Sequence, residues 1–372
     1  HDFIGQCFEK GAACVISEKE LPDEERSYIK VESSLQALKD LALLYRNNLD
    51  VKVVGITGSV GKTSTKETIS SVLSEKYRVL KTLGNFNNEI GLPLTVFRLT
   101  EDDEVAVLEM GISDFGEMDR LSKIAQPDIC VITNIGFCHL ENLGTRDGIL
   151  KAKTEIFNHM NPDGIVIVNG DDDKLSTISQ VHGKRPLVFG ISNKDGVYAD
   201  NIKSLGLDGT SFTIHGIKTS DNYSTFDLTV PVPGHHMVYN AMAAALVGSV
   251  LGLSSIEIER GVKNLKTIAG RNNIIKENGF TIIDDCYNAN PVSMKASLDV
   301  LDTAIGRKVA ILGSMFELGE NEKQMHYDVG MYLGTKDIDV LITAGDLAAQ
   351  IAAGTRAYID TNYNAHGCEV HD

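Results

Sequence analysis

One glycine-rich segment has the residue types that bind the phosphates of a nucleotide. Residues 51–64 read VKVVGITGSVGKTS, an apolar run followed by a turn and then a lysine and two hydroxyl residues. Glycines let backbone N–H groups face one concavity, and a following helix N-terminus adds partial positive charge. We expect a phosphate loop made of Gly58, Ser59, Val60, Gly61, Lys62, Thr63 and Ser64.

The glycine spacing is shorter than that of the usual phosphate loop. The residue five positions before Gly61 is Ile56, so Gly58 supplies the first glycine of a G-x-x-G-K-T pattern. Lys62 would reach the β- and γ-phosphates of ATP, and Thr63 would offer its hydroxyl to Mg²⁺. A tight strand-to-helix turn without a ligand is the alternative interpretation.

Three further residues are candidates for chemistry on the γ-phosphate. Glu109 ends the apolar run VAVLE, and a carboxylate at the end of a strand suits Mg²⁺; a helix-capping acid is the alternative. His139 follows the next apolar run, although Mg²⁺ prefers oxygen ligands and a buried structural histidine is equally compatible. Lys153 lies in a helical pattern, where a solvated surface lysine is the alternative.

Polar residues in two other segments could contact a substrate. Asn85, Asn87 and Asn88 form an amide-rich loop that could hold a sugar or a peptide, or could simply form turns. Asp285 ends a later apolar strand, which is typical of a ligand crevice. Arg271 precedes that strand and is either a cation that domain closure could bring to the γ-phosphate or a plain surface arginine.

The order of apolar and amphipathic segments predicts an α/β fold. Strand patterns alternate with helix patterns from residue 51 onward, which indicates a mostly parallel sheet covered on both faces. Short alternating stretches at 211–215 and 226–230 indicate an antiparallel patch, and a long alanine-rich helix is expected over about 236–252. The individual elements expected between residues 51 and 169 are strands at 51–56, 105–110, 129–135 and 165–169, and helices at 62–75, 114–124 and 147–160.

A second alternating set begins near residue 270 and indicates a separate α/β domain. We therefore expect three parts: residues 1–50 as the remainder of an N-terminal α/β domain, 51–268 as the central phosphate-loop domain, and 269–372 as a Rossmann-like C-terminal α/β domain. The N-terminal domain is expected to be incomplete, because the chain begins without methionine and residues 1–50 hold one strand pattern and one helix pattern. The C-terminal domain is also expected to be incomplete.

Composition argues against several classes of protein. The formal net charge of −16 argues against non-specific binding to nucleic acid. No apolar run approaches the roughly 20 residues that span a bilayer, and no signal peptide is visible. The six cysteines are scattered without Cys-x-x-Cys pairs, so reduced thiols of a cytoplasmic protein fit better than disulfides or a zinc site.

Beyond the phosphate loop, the chain resembles the Mur ligase family over about residues 51–345. The subgroup-specific pieces are NFNNEIGLP at 85–93 and DDCYNANP at 284–291. The other matching pieces are Glu109-Met-Gly, Thr133-Asn-Ile-Gly with His139, Lys153-x-Glu-Ile-Phe, Pro233-Gly-His-His with Asn240, Gly270-Arg271 and LGSMFELG at 312–319.

This resemblance implies an ATP-dependent amide ligase of peptidoglycan precursor synthesis in the cytoplasm. The implied substrates are UDP-MurNAc-tripeptide, whose terminal carboxylate is phosphorylated, and D-Ala-D-Ala, whose amine attacks the acyl phosphate. We expect a monomer with two Mg²⁺ ions. Another Mur-type amino acid ligase and a non-catalytic nucleotide-dependent regulator are the alternatives.

The resemblance also implies roles for individual residues. Lys153 would be carbamylated by CO₂ and would support the metal site. The implied catalytic set is Lys62, His139, Lys153 and Arg271; the metal ligands are Thr63, Glu109 and His139; Asn240, Arg271 and Asp285 contact the nucleotide; and Asn85, Asn87, Asn88, Tyr287 and Asn288 contact the substrates.

Overall fold

The fold is described from a computed structural model that covers residues 2–21, 27–362 and 365–371. The N-terminal part is small, with two short parallel strands joined as a separate sheet. Its elements are α1 (Ile4–Glu9), β1 (Val15–Ser17), β2 (Tyr28–Lys30) and α2 (Ser34–Asn47). Ser33 caps α2 through its side chain, and Ala42 of α2 is buried in the core of the following unit.

The central unit is built on one nine-stranded sheet. Its strands are β3 (Lys52–Thr57), β4 (Val79–Lys81), β5 (Val105–Glu109), β6 (Ile129–Ile132), β7 (Ile165–Asn169), β8 (Leu187–Gly190), β9 (Val197–Ser204), β10 (Thr210–His215) and β11 (Thr225–Val230). Their spatial order is β4-β5-β3-β6-β7-β8-β9-β10-β11, and only the pairs that involve β10 are antiparallel. The predicted α/β class, the mostly parallel sheet and the antiparallel patch are therefore confirmed.

Helices cover both faces of this sheet. Successive side chains of a strand point to opposite faces, and apolar side chains lie on both faces of these strands. On β3, Val54 and Ile56 enter one buried cluster whereas Val53 enters the other. The helices are α3 (Lys62–Leu73), α4 (Gly91–Val96), α5 (Glu117–Ala125), α6 (Leu140–Leu143), α7 (Arg146–Thr154), α8 (His236–Val250) and α9 (Ser255–Lys263), with short 3₁₀ turns at Glu155–Phe157, Leu175–Thr177 and Gly206–Asp208. The alanine-rich α8 packs against α3, as its small residues allow.

Three predicted boundaries in this unit are wrong by three residues or more, and each has a local cause. The helix expected from residue 114 begins at Glu117, because Gly116 has a φ of 76° that a helical residue cannot adopt. The strand expected to reach residue 135 ends at Ile132, since the Asn134 side chain hydrogen-bonds Val60 in the phosphate loop instead. The helix expected to run to residue 160 ends at Thr154 and tightens into a 3₁₀ turn.

The C-terminal unit has its own core. An antiparallel hairpin, β12 (Asn273–Glu277) and β13 (Phe280–Asp284), turns at Asn278–Gly279, which both have positive φ angles. Three parallel strands follow in the order β14-β15-β16, and helices pack on them. The elements are α10 (Pro291–Asp302), β14 (Val309–Gly313), a 3₁₀ turn (Gly319–Asn321), α11 (Glu322–Leu333), β15 (Val340–Ala344), α12 (Ala349–Thr361) and β16 (Glu369–His371).

Among the described residues, no helix combines the length and the apolar character that crossing a bilayer requires.

Candidate active site

The phosphate loop lies at the point where the strand order of the central sheet reverses. β3 pairs with β5 on one side and with β6 on the other, so the loop after β3 faces the crevice between them. The following helix α3 begins at Lys62 with Gly61 as its N-cap, and in the part of the chain that the structure describes no side chain caps its first turn. Its first backbone N–H groups are therefore available to an anion.

Two residues at the end of β6 fix the shape of this loop. Asn134 Oδ1 accepts from Val60 N at 2.9 Å, and Asn134 Nδ2 donates to Val60 O at 2.9 Å. The Thr133 hydroxyl donates to the same Val60 carbonyl at 2.7 Å. Ser59 N donates to Asn134 O at 3.0 Å, so two successive residues in the middle of the turn are tied to the segment that follows β6. No role was predicted for Thr133 or Asn134, although a polar pair after an apolar strand is a usable signal.

Gly58 and Gly61 both have backbone angles that side chains disfavour. Their φ angles are 151° and 82°. A Cβ on Gly58 would lie 1.9 Å from Thr133 Oγ1, which is far inside contact distance. Lys62 Nζ donates to Gly58 O at 2.9 Å, so the ammonium lies across the loop.

The structure brings Thr63 and Glu109 together below the loop. Thr63 Oγ1 donates to Glu109 Oε1 at 3.2 Å, and Asn87 Nδ2 donates to the same oxygen at 2.8 Å. Glu109 is 2% exposed, and its other oxygen, Oε2, has no hydrogen-bond partner among the described residues. A buried carboxylate oxygen without a donor, next to a threonine hydroxyl, is a donor set that Mg²⁺ accepts.

Lys153 is buried near Lys62 and is not a solvated surface lysine. Its side chain is 0% exposed, and Nζ has no hydrogen-bond partner in the described part of the chain. Burial, and secondarily the charge of Lys62, lower the pKa of the Lys153 ammonium to about 7. The amine is therefore partly neutral, and nucleophilic, at physiological pH.

His139 contacts the C-terminal unit. Its Nδ1 lies 3.0 Å from Glu317 Oε2, in the loop that follows β14. Burial and the charge of Lys153 lower the pKa of His139, whereas Glu317 opposes that shift. Within the described residues, no three His, Cys, Asp or Glu side chains converge as a ready-made metal site. Thr63 and Glu109 are in contact, but His139 is paired with Glu317.

Two of the predicted nucleotide residues, Ser64 and Arg271, line a small open cavity beside α3, together with Glu67, Met237 and Asn272. The Arg271 guanidinium stacks on the Tyr287 ring, 4.0 Å from its centroid.

Asn240 lies at the other end of the loop. Its Oδ1 accepts from Thr65 Oγ1 at 3.0 Å and would be 3.6 Å from a Cβ on Gly61. Asp285 accepts from Asn272 N at 3.0 Å and from the Ser297 hydroxyl. Asp285 is therefore held in place at the start of the C-terminal unit.

The remaining predicted substrate residues are spread over two surfaces. Asn85 is exposed, and Asn88 Oδ1 accepts from Gly91 N at 2.8 Å at the start of α4. Asn288 Oδ1 accepts from Ala289 N at 2.9 Å near the 51% exposed ring of Tyr287. Among the three loop asparagines, Asn87 is the one whose side chain bonds Glu109.

Two family models match this chain. The family model described as the Mur ligase middle domain matches residues 56–248, and the one described as the Mur ligase glutamate ligase domain matches residues 270–371. The chain is 41% identical to the UDP-N-acetylmuramoyl-tripeptide–D-alanyl-D-alanine ligase of Bacillus subtilis (strain 168), covering 100% of this chain and 80% of that protein.

Two solved structures are also similar. MurF from Acinetobacter baumannii superposes with a TM-score of 0.88 at 32% identity, covering 100% of this chain and 84% of that one. The MurF ligase of Thermotoga maritima in complex with ADP gives a TM-score of 0.84 at 33% identity, covering 94% and 80%.

Proposed function

The chain belongs to the Mur ligase family, and from that premise we propose that it joins D-alanyl-D-alanine to UDP-N-acetylmuramoyl-tripeptide, using ATP, in peptidoglycan precursor synthesis. One observation carries the proposal. Asn87, from the subgroup-specific segment 85–93, bonds Glu109 next to Thr63 of the phosphate loop. The segment that marks the D-alanyl-D-alanine-adding subgroup thus meets the nucleotide site.

A carboxylate has no good leaving group, which is why ATP is needed. Direct attack by an amine on the carboxylate carbon would have to expel oxide, and this does not occur. Transfer of the γ-phosphoryl group of ATP to the tripeptide's terminal carboxylate gives an acyl phosphate, from which inorganic phosphate leaves readily. The amine of D-alanyl-D-alanine then attacks the acyl carbon, forming the amide bond.

The phosphate loop would hold the triphosphate for this transfer. The uncapped N-terminus of α3 would bind the phosphate oxygens, and the Lys62 ammonium would contact the γ-phosphate. Lys62 and Arg271 stabilise the charge that spreads over the transferring group. Arg271 is held on the Tyr287 ring at the edge of the cavity, and closure of the C-terminal unit would deliver it to the γ-phosphate.

Thr63, Glu109 and His139 are the residues we propose to hold Mg²⁺, with two ions in the complete site. Mg²⁺ would neutralise charge on the phosphate oxygens when bound. Thr63 and Glu109 are already in contact. His139 would have to leave Glu317, its present partner at 3.0 Å, before its ring nitrogen could serve.

We propose that Lys153 carries a carbamate in the active protein. A neutral amine attacks CO₂, loses a proton and becomes an anion. The buried amine with a pKa of about 7 is neutral often enough for that reaction. The product replaces an unpartnered buried cation with an acceptor that Lys62 and a metal would both favour.

The nucleotide and substrate contacts are proposed from the same arrangement. Asn240 and Asp285 would bind the adenine and ribose side of ATP. Asn85, Asn87, Asn88, Tyr287 and Asn288 would contact the two substrates. We also propose domains at 1–50, 51–268 and 269–372, a monomeric state and a cytoplasmic location.

Product identification tests the proposal. The chain is incubated with ATP, Mg²⁺, UDP-MurNAc-tripeptide and D-alanyl-D-alanine, and mass spectrometry should find the pentapeptide nucleotide, with ADP and phosphate. Parallel reactions replace the dipeptide with single amino acids. A product formed only with a single amino acid would indicate another Mur-type ligase, and nucleotide binding without any product would indicate a regulator.

A further inference from the structure

Lys66 is a buried cation of the site to which the mechanism above gives no part. Its side chain is 0% exposed, and its Nζ forms no hydrogen bond with any described residue. A buried ammonium that lacks hydrogen bonds is unfavourable for folding, so packing alone gives no reason for a charge at this position of α3.

The position of Lys66 relates it to Glu109. Thr63 and Lys66 are three residues apart on α3, so they lie on the same helical face. Thr63 bonds Glu109 Oε1 at 3.2 Å, whereas Lys66 Nζ lies 3.7 Å from Oε2. The Glu109 carboxylate therefore faces a hydroxyl with one oxygen and an ammonium with the other.

The charges around Glu109 do not favour a metal ion that binds without a nucleotide. Lys66 Nζ is also 3.1 Å from Glu67 Oε1, but Glu67 already has Lys81 as a partner. Lys62 adds another cation at the loop. Lys66 and Lys81 thus offset the charges of the Glu67 and Glu109 carboxylates, so a divalent cation that approaches Glu109 meets a carboxylate that already faces an ammonium.

We propose that Lys66 makes divalent-metal binding at Glu109 conditional on the nucleotide. The inference rests on the proposed ATP site, because the phosphates of ATP supply the negative charge that the protein lacks there. Charges about 4 Å apart interact strongly even at an effective dielectric constant of about 20. Without nucleotide, Lys66 holds the Glu109 carboxylate and disfavours the metal; with nucleotide, the phosphates offset that repulsion.

The test measures Mn²⁺ binding by electron paramagnetic resonance on the full chain without nucleotide. Lys66→Met removes the charge but keeps much of the volume, and Glu67 keeps Lys81. We expect the variant to bind Mn²⁺ at least about tenfold more tightly than the unaltered chain. A residue that merely packs would, when replaced, leave Mn²⁺ affinity unchanged or weaken it.

Lys308→Met is the matched control. Lys308 is also buried, at 8% exposed, and pairs with Asp337 at 2.9 Å in the C-terminal unit. Its replacement should leave Mn²⁺ affinity within about twofold. Lys66→Gln should increase Mn²⁺ affinity as much as Lys66→Met does. The glutamine variant replaces the methionine variant in the test if the latter does not melt cooperatively.

The outcomes separate this inference from the proposed function. Equal or weaker Mn²⁺ binding by both Lys66 variants would overturn it, as would unaltered protein that binds Mn²⁺ equally tightly with and without ATP. Both of these results leave the ligase proposal standing. Unaltered protein that binds no Mn²⁺ even with ATP would overturn the metal site itself, and the Lys66 inference with it.

Discussion

Replacing Asn134 with alanine should damage nucleotide binding more than it damages the fold. The Asn134 amide makes two hydrogen bonds to the backbone of Val60, both 2.9 Å long, and these set the direction of the Val60 N–H and C=O groups. Alanine removes both bonds and leaves the main chain of β6 in place. The loop would then sample conformations in which its N–H groups no longer face one concavity.

The magnitude follows from the two bonds. A net value of about 0.5–1.5 kcal/mol for each gives a loss of roughly 1–3 kcal/mol of stability. Because the loop must be reordered before phosphate can bind, we expect ADP affinity to fall at least about tenfold, or about 1.4 kcal/mol.

Isothermal titration calorimetry with ADP and Mg²⁺ measures the ADP affinity, and thermal unfolding measures the stability. Asn193→Ala is the matched control. The Asn193 amide also makes two backbone hydrogen bonds, to Gly170 O at 3.2 Å and from Asp195 N at 2.9 Å, but it lies in another loop. Both variants should lose similar stability, whereas only Asn134→Ala should lose ADP affinity.

Two results would refute this reasoning. If Asn134→Ala bound ADP within twofold of the unaltered chain, the amide would not be what shapes the loop. If Asn193→Ala lost as much ADP affinity, the effect would come from general destabilisation.

Three further predictions concern single residues. Lys153→Met should abolish turnover yet raise the melting temperature in CO₂-free buffer. The pKa of Lys153 is about 7 in the folded protein against an ordinary 10.5, so its buried charge destabilises the unaltered chain fully below pH 7 and progressively less towards pH 10.5. The difference in melting temperature between the variant and the unaltered chain should shrink over that range, and a constant difference would contradict this. Arg271→Lys should lower kcat at least about tenfold with little change in ADP affinity, because lysine cannot reproduce planar stacking on Tyr287; unchanged kcat in steady-state assays would count against it. Gly58→Ala should eliminate ADP binding by calorimetry, since its Cβ would meet Thr133 Oγ1 at 1.9 Å, and retained binding would show that the loop can move aside.

Local patterns were sufficient to predict much of the central unit. An apolar run, a glycine turn and a lysine-hydroxyl pair predict β3, the phosphate loop and α3, and the structure contains all three. The antiparallel patch was visible because β10 alternates buried and half-buried residues along its length. A strand at 281–285 was predicted and corresponds to β13, whereas its partner β12 was missed, although Asn278–Gly279 is a strong turn signal.

The contacts that complete the candidate site depend on long-range packing, which a single sequence does not encode locally. Lys66 reads as an ordinary exposed helix residue until Glu109, 43 positions later, is placed beside it. The pairing of His139 with Glu317 joins two structural units and has no local signature. Lys153 was predicted as a site residue from family resemblance, whereas its burial and low pKa became apparent only from the fold.

The most direct test of the central claim follows the oxygen atoms of the tripeptide. UDP-MurNAc-tripeptide labelled with ¹⁸O in its terminal carboxylate is converted with ATP and D-alanyl-D-alanine, and the released phosphate is analysed by mass spectrometry. If the γ-phosphoryl group passes to the carboxylate, each phosphate carries one ¹⁸O and the new amide keeps the other. Unlabelled phosphate accompanying amide formation would contradict the account.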